Sequence, residues 1–186
     1  AEDMANSDHQ EARTVDDLDE AGIIQMVNTL NSGKDMSGFD LSGTPAFFTG
    51  CAMTSVADES EIDAQVERLK QKVDLGAKFI MTQPVFDLDF YKTVMDKLAV
   101  LNTPVISSVF LLKSVGMARY IAVNDPNSRL SEQTIARIRA AKDREAESVA
   151  IAGEMIRQLK GISQGIKISA LGWEDRLPAI LDNAGL

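Results

Sequence analysis

The chain has 186 residues, 45% hydrophobic and 25% charged, with a formal net charge of −9. That is one domain's worth of globular protein with a sizeable core, and its acidity argues against nucleic acid and anionic membrane surfaces as partners. No apolar run approaches eighteen residues, so no membrane span is expected.

The single cysteine, Cys51, excludes an internal disulfide or a Cys-rich zinc site and fits a reducing cytoplasm. The single histidine, His9, cannot form a histidine metal cluster within one chain. No signal-peptide pattern opens the chain. Its first residue is Ala rather than Met, which reads as a processed or trimmed start.

In chain order, Ala21–Leu30 reads as a helix, followed by a polar, Gly-rich loop over Asn31–Thr44. Ala46–Thr49 is a first short apolar strand. Ile62, Val66, Leu69 and Val73 then fall on one helical face, with Asp58 and Glu61 as a capping pair at its start. Gly76 stops that helix. A buried strand, Lys78–Thr82, delivers Gln83 to a loop held by Pro84. Phe90, Val94 and Leu98 repeat the helical spacing, with Asp87 or Asp89 as cap. A third strand spans Pro104–Phe110, and Ser114 caps a short helix carrying Val115, Ala118 and Ile121. Ser131 opens a long helical region to about Lys160. Its charged middle, Lys142 to Glu147, marks a break or a solvated face. A fourth strand, Gly165–Ala170, and a last helix over Leu177–Asn183 complete the pattern.

Strands alternating with helices predict βαβ units and a parallel sheet. An open dinucleotide-binding sheet should show G-x-G-x-x-G after an early strand, and the chain has none. A complete (β/α)₈ barrel takes about 250 residues, and only four clear strands are present. A polar amide at the carboxyl end of an apolar strand, as at Gln83, is how such a barrel presents a substrate-contacting residue.

Several residues are candidates for chemistry, each with a plainer reading. Gln83 could be a satisfied polar residue at a strand end. Arg68 and Lys72 lie one helical turn apart near Glu67 and Asp74, which also describes a solvated, salt-bridged face. His9 reads as an exposed turn residue and Cys51 as a small buried hydrophobe. Trp173, after the last strand, could stack on a ligand at the barrel mouth or cover the barrel edge.

The stretch from Lys72 to Asp87 resembles the methylenetetrahydrofolate reductase family, whose sixth barrel strand carries K-x-x-x-G-A-x-F-x-x-T-Q-x-x-F-D. Lys72, Gly76, Ala77, Phe79, Thr82, Gln83, Phe86 and Asp87 match it. In order along the chain, Ser7-Asp8-His9 resembles the turn closing strand four, and Ala46–Ala52 resembles strand five. Val109–Tyr120 resembles the seventh strand's loop and helix, and Gly165–Glu174 the eighth strand and its loop.

The resemblance implies an α/β fold of (β/α)₈ TIM-barrel type, with residues 1–186 forming a single partial domain equivalent to strands five to eight. It implies FAD at the carboxyl mouth and reduction of 5,10-methylenetetrahydrofolate to 5-methyltetrahydrofolate. The reductant would be NADH, NADPH or an electron-carrier protein. By resemblance, Asp8 lies beside the flavin and the pterin, and Gln83 hydrogen-bonds the pterin. Arg68 and Lys72 meet the FAD phosphates or ribityl chain, and Leu18 contacts the cofactor through its backbone.

The sequence departs from the family at Ser7, Gln10 and Thr54-Ser55. Asn124–Ser128 stands in place of V-P-G-I, and the strand-one glutamate has no counterpart. An open array of four strands would leave two edges and a barrel-facing apolar surface exposed. The chain is therefore expected to form a homo-oligomer or to need a partner chain supplying the first half. A non-catalytic half-barrel serving binding or assembly is the alternative.

Overall fold

The computed structural model describes residues 17–186. Asp8 and His9 lie outside the described residues. The elements are α1 (Glu20–Asn31), β1 (Cys51–Ala52), α2 (Glu59–Asp74), β2 (Ile80–Pro84), α3 (Leu88–Leu98), β3 (Val105–Phe110), α4 (Val115–Asn124), α5 (Glu132–Ala140), α6 (Arg144–Leu159), β4 (Gly165–Ser169) and α7 (Leu177–Ala184).

Local chemistry accounts for the helix starts. The carboxylates of Asp19, Asp58, Asp87 and Asp143 and the hydroxyls of Ser114 and Ser131 each accept an amide N–H from the first turn they precede. Asp87, not Asp89, therefore caps α3. Glu61 completes the start of α2 by accepting from the Ala57 amide at 2.9 Å, one residue before the cap. The charged stretch in the long helical region is a true break. Ala141 is extended, Asp143 caps anew, and two helices form where one continuous pattern ran.

The four strands form one parallel sheet in the order β1-β2-β3-β4. Parallel neighbours need crossovers, and α2, α3 and the α4–α6 run supply them. The result is an α/β fold with seven α-helices among the described residues, consistent with part of a (β/α)₈ barrel.

The first strand differs from the sequence expectation. Residues 46–49 are not a strand, and β1 is confined to Cys51–Ala52. The cause is Asn31 at the end of α1. Its side-chain amide donates to the Phe47 carbonyl at 2.9 Å, and its carbonyl oxygen accepts the Phe47 N–H at 2.8 Å. Phe47 is thus paired to a side chain rather than to a ladder. Contact with β2 starts at Thr49, whose carbonyl accepts from Lys78 at 2.7 Å.

The helices pack on one face of the sheet. Cys51, Ile80 and Val105 are buried with Ile62 and Leu69 of α2 and Leu98 of α3. Val109 is buried with Ile156 and Leu159 of α6 and Ile180 of α7. A third cluster joins α4 and α5 through Ala118, Ile135 and Ile138. Fully burying such a side chain stabilises by roughly 1.5–3 kcal/mol.

Gly76 ends α2 as expected, at φ +114°, where a Cβ would also overlap the Asn28 amide. The opposite sheet face carries Phe79, Met81, Ile106 and Lys167, none of them buried. There Phe48 stacks on Phe79 with centroids 5.6 Å apart, and Gly50 makes room for the Phe79 ring.

Candidate functional site

A cavity of about 310 Å³ opens at the carboxyl ends of β1, β2 and β3. Its walls are the loop after β1 (Met53–Val56), the β2 exit (Thr82–Asp87), Phe90 and Tyr91 of α3, and the end of α4 with the turn Asp125–Arg129. This is the end of a parallel α/β sheet where ligands bind, because the loops there are free to vary on a rigid base.

The β2 wall is shaped by a bulge. Met81 pairs with Ile106 but Pro84 pairs with Ser108, so three steps on β2 meet two on β3. The extra residue falls at Thr82–Gln83. Bulges re-aim side chains and interrupt the ladder, and here the lost pairing is replaced. Ser108 donates its hydroxyl to the Thr82 carbonyl at 2.6 Å, and its amide reaches the Thr82 hydroxyl at 3.3 Å. Pro84 has no N–H to orphan, and Val85 resumes the ladder to the Ser108 carbonyl at 2.9 Å. Thr82 is buried while Gln83 is turned out to the cavity side.

Below the bulge, the Tyr91 hydroxyl and Ser107 Oγ are 2.6 Å apart in the core. Burial pushes the Tyr91 phenol up, and its hydrogen bonds to Ser107 and Thr82 pull the other way.

Gln83 Nε2 lies 3.4 Å from the Met53 carbonyl. Lys72 Nζ lies 3.4 Å from the preceding carbonyl, Ala52, and 2.5 Å from Glu20 of α1. Gln83 thus lies on the β2 side of the β1 exit, on the cavity wall, while Lys72 lies with Glu20 at the strand's open edge, outside the cavity lining. Lys72 does not pair with Glu67 or Asp74; its ion pair crosses to α1. Arg68 is exposed one turn earlier on α2 and makes no ion pair among the described residues. Leu18 is exposed just before α1.

Trp173 does not line the cavity. It packs against the β3–α6–α7 cluster, and Lys113 Nζ sits 5.0 Å from its ring centroid while donating to the Leu171 carbonyl at 2.7 Å. Cys51 is buried, and burial raises its thiol pKa despite the opposing pull of Lys72. Among the described residues, no three acidic, histidine or cysteine side chains gather to hold a metal.

Sequence reasoning missed two contributors. Tyr120 lies on the cavity wall, 69% exposed. No sequence signal set it apart, because it falls off the Val115–Ala118–Ile121 face like any exposed residue of α4. Arg129 is the other. Its Nε donates to Asp87 Oδ2 at 3.0 Å, its NH1 to the Ala57 carbonyl at 3.0 Å, and its guanidinium lies 4.0 Å from the Phe90 ring centroid. Partial burial would raise the Asp87 pKa. The Phe90 amide and the Arg129 guanidinium outweigh it and hold the carboxyl below the ordinary aspartate range.

The parallel α/β sheet carries a largely apolar cavity at its carboxyl end, with Gln83, Asn124, Asn127 and Arg129 among its polar lining, the place where α/β domains bind small molecules. The chain belongs to the methylenetetrahydrofolate reductase family, whose sequence profile matches residues 3–185. Membership implies folate-linked one-carbon reduction and an oxidoreductase class. No curated protein matches the sequence. No helix among the described residues is long and apolar enough to cross a membrane.

Proposed function

We propose that this chain supplies strands five to eight of a flavin-dependent reductase that converts 5,10-methylenetetrahydrofolate to 5-methyltetrahydrofolate. The observation that supports the reading best is the cavity at the carboxyl ends of the strands with Gln83 on its wall, in a chain whose family match spans residues 3–185.

The residues fit a flavin dinucleotide. Arg68 and Lys72, one helical turn apart on α2, would meet its phosphates or ribityl chain, Lys72 by exchanging its pair with Glu20, and Leu18 would contact it through its backbone. Bound FAD would accept a hydride from the reductant (NADH, NADPH or an electron-carrier protein) and return one to the folate. The chain's own residues bind and orient. Gln83 has both a donor and an acceptor to offer the pterin edge. Tyr120 faces the same cavity with an aromatic ring suited to a flat heterocycle. The apolar walls at Met53, Val56 and Phe86 limit water. Asp8, outside the described residues, is assigned beside the flavin and the pterin. Trp173 is assigned to the mouth after β4.

Among the described residues the sheet is open, with β1 and β4 at its edges. A partner chain supplying strands one to four would complete the barrel and bring the strand-one glutamate, whereas a second copy of this chain could cover the sheet edges but not bring that acid.

One observation favours a second reading, a half-barrel that binds or assembles without turnover: Glu20 already neutralises Lys72. Flavin absorbance and titration decide between them. Lys72→Ala should weaken FAD binding by about tenfold or more if the ammonium meets phosphate. Gln83→Ala should weaken folate binding by about 1–3 kcal/mol while sparing flavin reduction. A colourless protein that takes up no FAD, or equal losses in both half-reactions for Gln83→Ala, would overturn the reading.

A further inference from the structure

Arg129 holds a backbone conformation that its side chain does not favour. Its φ is +57°, in the left-handed region where glycine and asparagine are at home. A bulky residue kept there needs a reason, and its guanidinium supplies one. It touches three separate segments: the β1–α2 loop through the Ala57 carbonyl, the β2–α3 loop through Asp87, and α3 through the face of Phe90. The two oxygens of Asp87 divide their work, Oδ1 capping α3 at the Phe90 amide and Oδ2 receiving Arg129. Asp87 lies four residues from Gln83, and all these segments wall the same cavity.

We propose that Arg129 is a positioning residue that clasps the two loops to the α4–α5 connection and so fixes the cavity wall bearing Gln83. The proposal rests on the folate reading above for the identity of the ligand and on the geometry alone for the clasp. The planar fork can donate to a carboxylate and a carbonyl while lying over a ring. Lysine cannot do all three. A wall ordered before the substrate arrives spares the ligand the cost of ordering it.

Arg129→Gly separates backbone from side chain, because glycine accepts φ +57° without strain while the clasp is lost. The variant is expected to bind 5-methyltetrahydrofolate about tenfold more weakly, the scale of unordered loops at a binding wall. Its thermal midpoint should change little, because relief of the left-handed backbone offsets the lost contacts. Amide exchange should speed up at residues 54–57 and 124–129 and stay unchanged in β3. Arg129→Lys should recover part of the affinity.

Wild-type affinity and wild-type exchange in Arg129→Gly would overturn the proposal. So would a global fall in the midpoint that accounts for the lost binding and is not eased by lysine, since that would be a structural role only. If the unaltered protein binds no folate, the functional reading fails separately. The clasp is then decided by exchange: faster at 54–57 and 124–129 in the glycine variant upholds it, and unchanged exchange overturns it.

Discussion

Ile80 and Met81 are neighbours in β2, yet Ile80 is fully buried beneath the helices while Met81 is half-open on the other side. The same contrast runs across the sheet. Val105 is buried beside half-open Ile106, and the exposed Lys167 is flanked by half-buried isoleucines. On the helix side, apolar surface is covered and the Tyr91 hydroxyl pairs with Ser107, while Thr82 and Ser108 satisfy each other at the bulge. On the other side, Phe48 rests on Phe79 with three-quarters of its surface exposed. Strands alternate their side chains, so one sequence writes both faces. The finished face sets stability, and the open face is left for something else to cover.

The largest expected effect tests the finished face. Leu69 is completely buried in α2 against the first core cluster. Leu69→Ala removes packed methyl groups and leaves a cavity, at a cost of about 2–5 kcal/mol. Met81→Ala, on the open face, should cost well under half as much. Urea unfolding of the two variants measures both. Equal losses would mean that the open face is also a packed core.

Next is the turn that joins the two regions. At Gly76 the backbone is left-handed and the Asn28 amide, bonded to the Leu75 carbonyl, fills the space a Cβ would need. Gly76→Ala should therefore cost about 1–3 kcal/mol. The same denaturant titration reads it. A neutral substitution would show that α1 gives way easily and is not a fixed wall.

Much of this contrast was legible in the sequence. The Ile62–Val66–Leu69–Val73 spacing identified the buried face of α2. The Asp58, Asp87, Ser114 and Ser131 caps fell where small polar residues precede apolar periodicity. Gln83 stands out in the sequence as an amide that a strand over Lys78–Thr82 delivers to a proline loop; it does reach the cavity wall, but β2 runs Ile80–Pro84, so Gln83 and Pro84 lie inside the strand at its bulge. What was not legible depends on partners distant in the chain. The start of β1 moved from Ala46 to Cys51 because Asn31, sixteen residues earlier, occupies both polar groups of Phe47. The bulge at Thr82–Gln83 depends on Ser108. The partner of Lys72 proved to be Glu20, fifty-two residues away, rather than a neighbour on its own helix. Arg129 joins segments that only the fold brings together, and no spacing announces it.

A smaller effect sharpens the cavity side of the comparison. The Asp87 carboxyl is held below its unfolded value, so its contribution is present above the unfolded pKa of about 4 and is lost as pH falls through the lower folded value. The Asp87–Arg129 pair should therefore persist at neutral and mildly acidic pH and fail only below about pH 4. Asp87→Asn keeps a cap but loses the ion pair, and should cost about 0.5–1 kcal/mol at pH 7, because the pair is about one-third exposed. The difference from wild type should vanish in acid. A difference that does not shrink as the carboxyl protonates in acid would assign the loss to the cap and not to the charge.

The smallest expected change in stability belongs to Phe48. Its ring lies nearly parallel to Phe79, at 15° between planes, an arrangement worth about 0.5–1.5 kcal/mol when water is excluded from both faces. Here one face of Phe48 is open, so Phe48→Ser should cost less than about 1 kcal/mol. Its larger consequence should be in association. Phe47 and Phe48 are both largely exposed just before β1, where apolar side chains and unpaired strand groups together favour contact between molecules. Removing one ring should shift sedimentation at high protein concentration toward the smaller species while leaving the unfolding midpoint almost in place. A lower midpoint with unchanged sedimentation would reverse the argument: it would place Phe48 in the protein's own core and remove the open face as the reason for association.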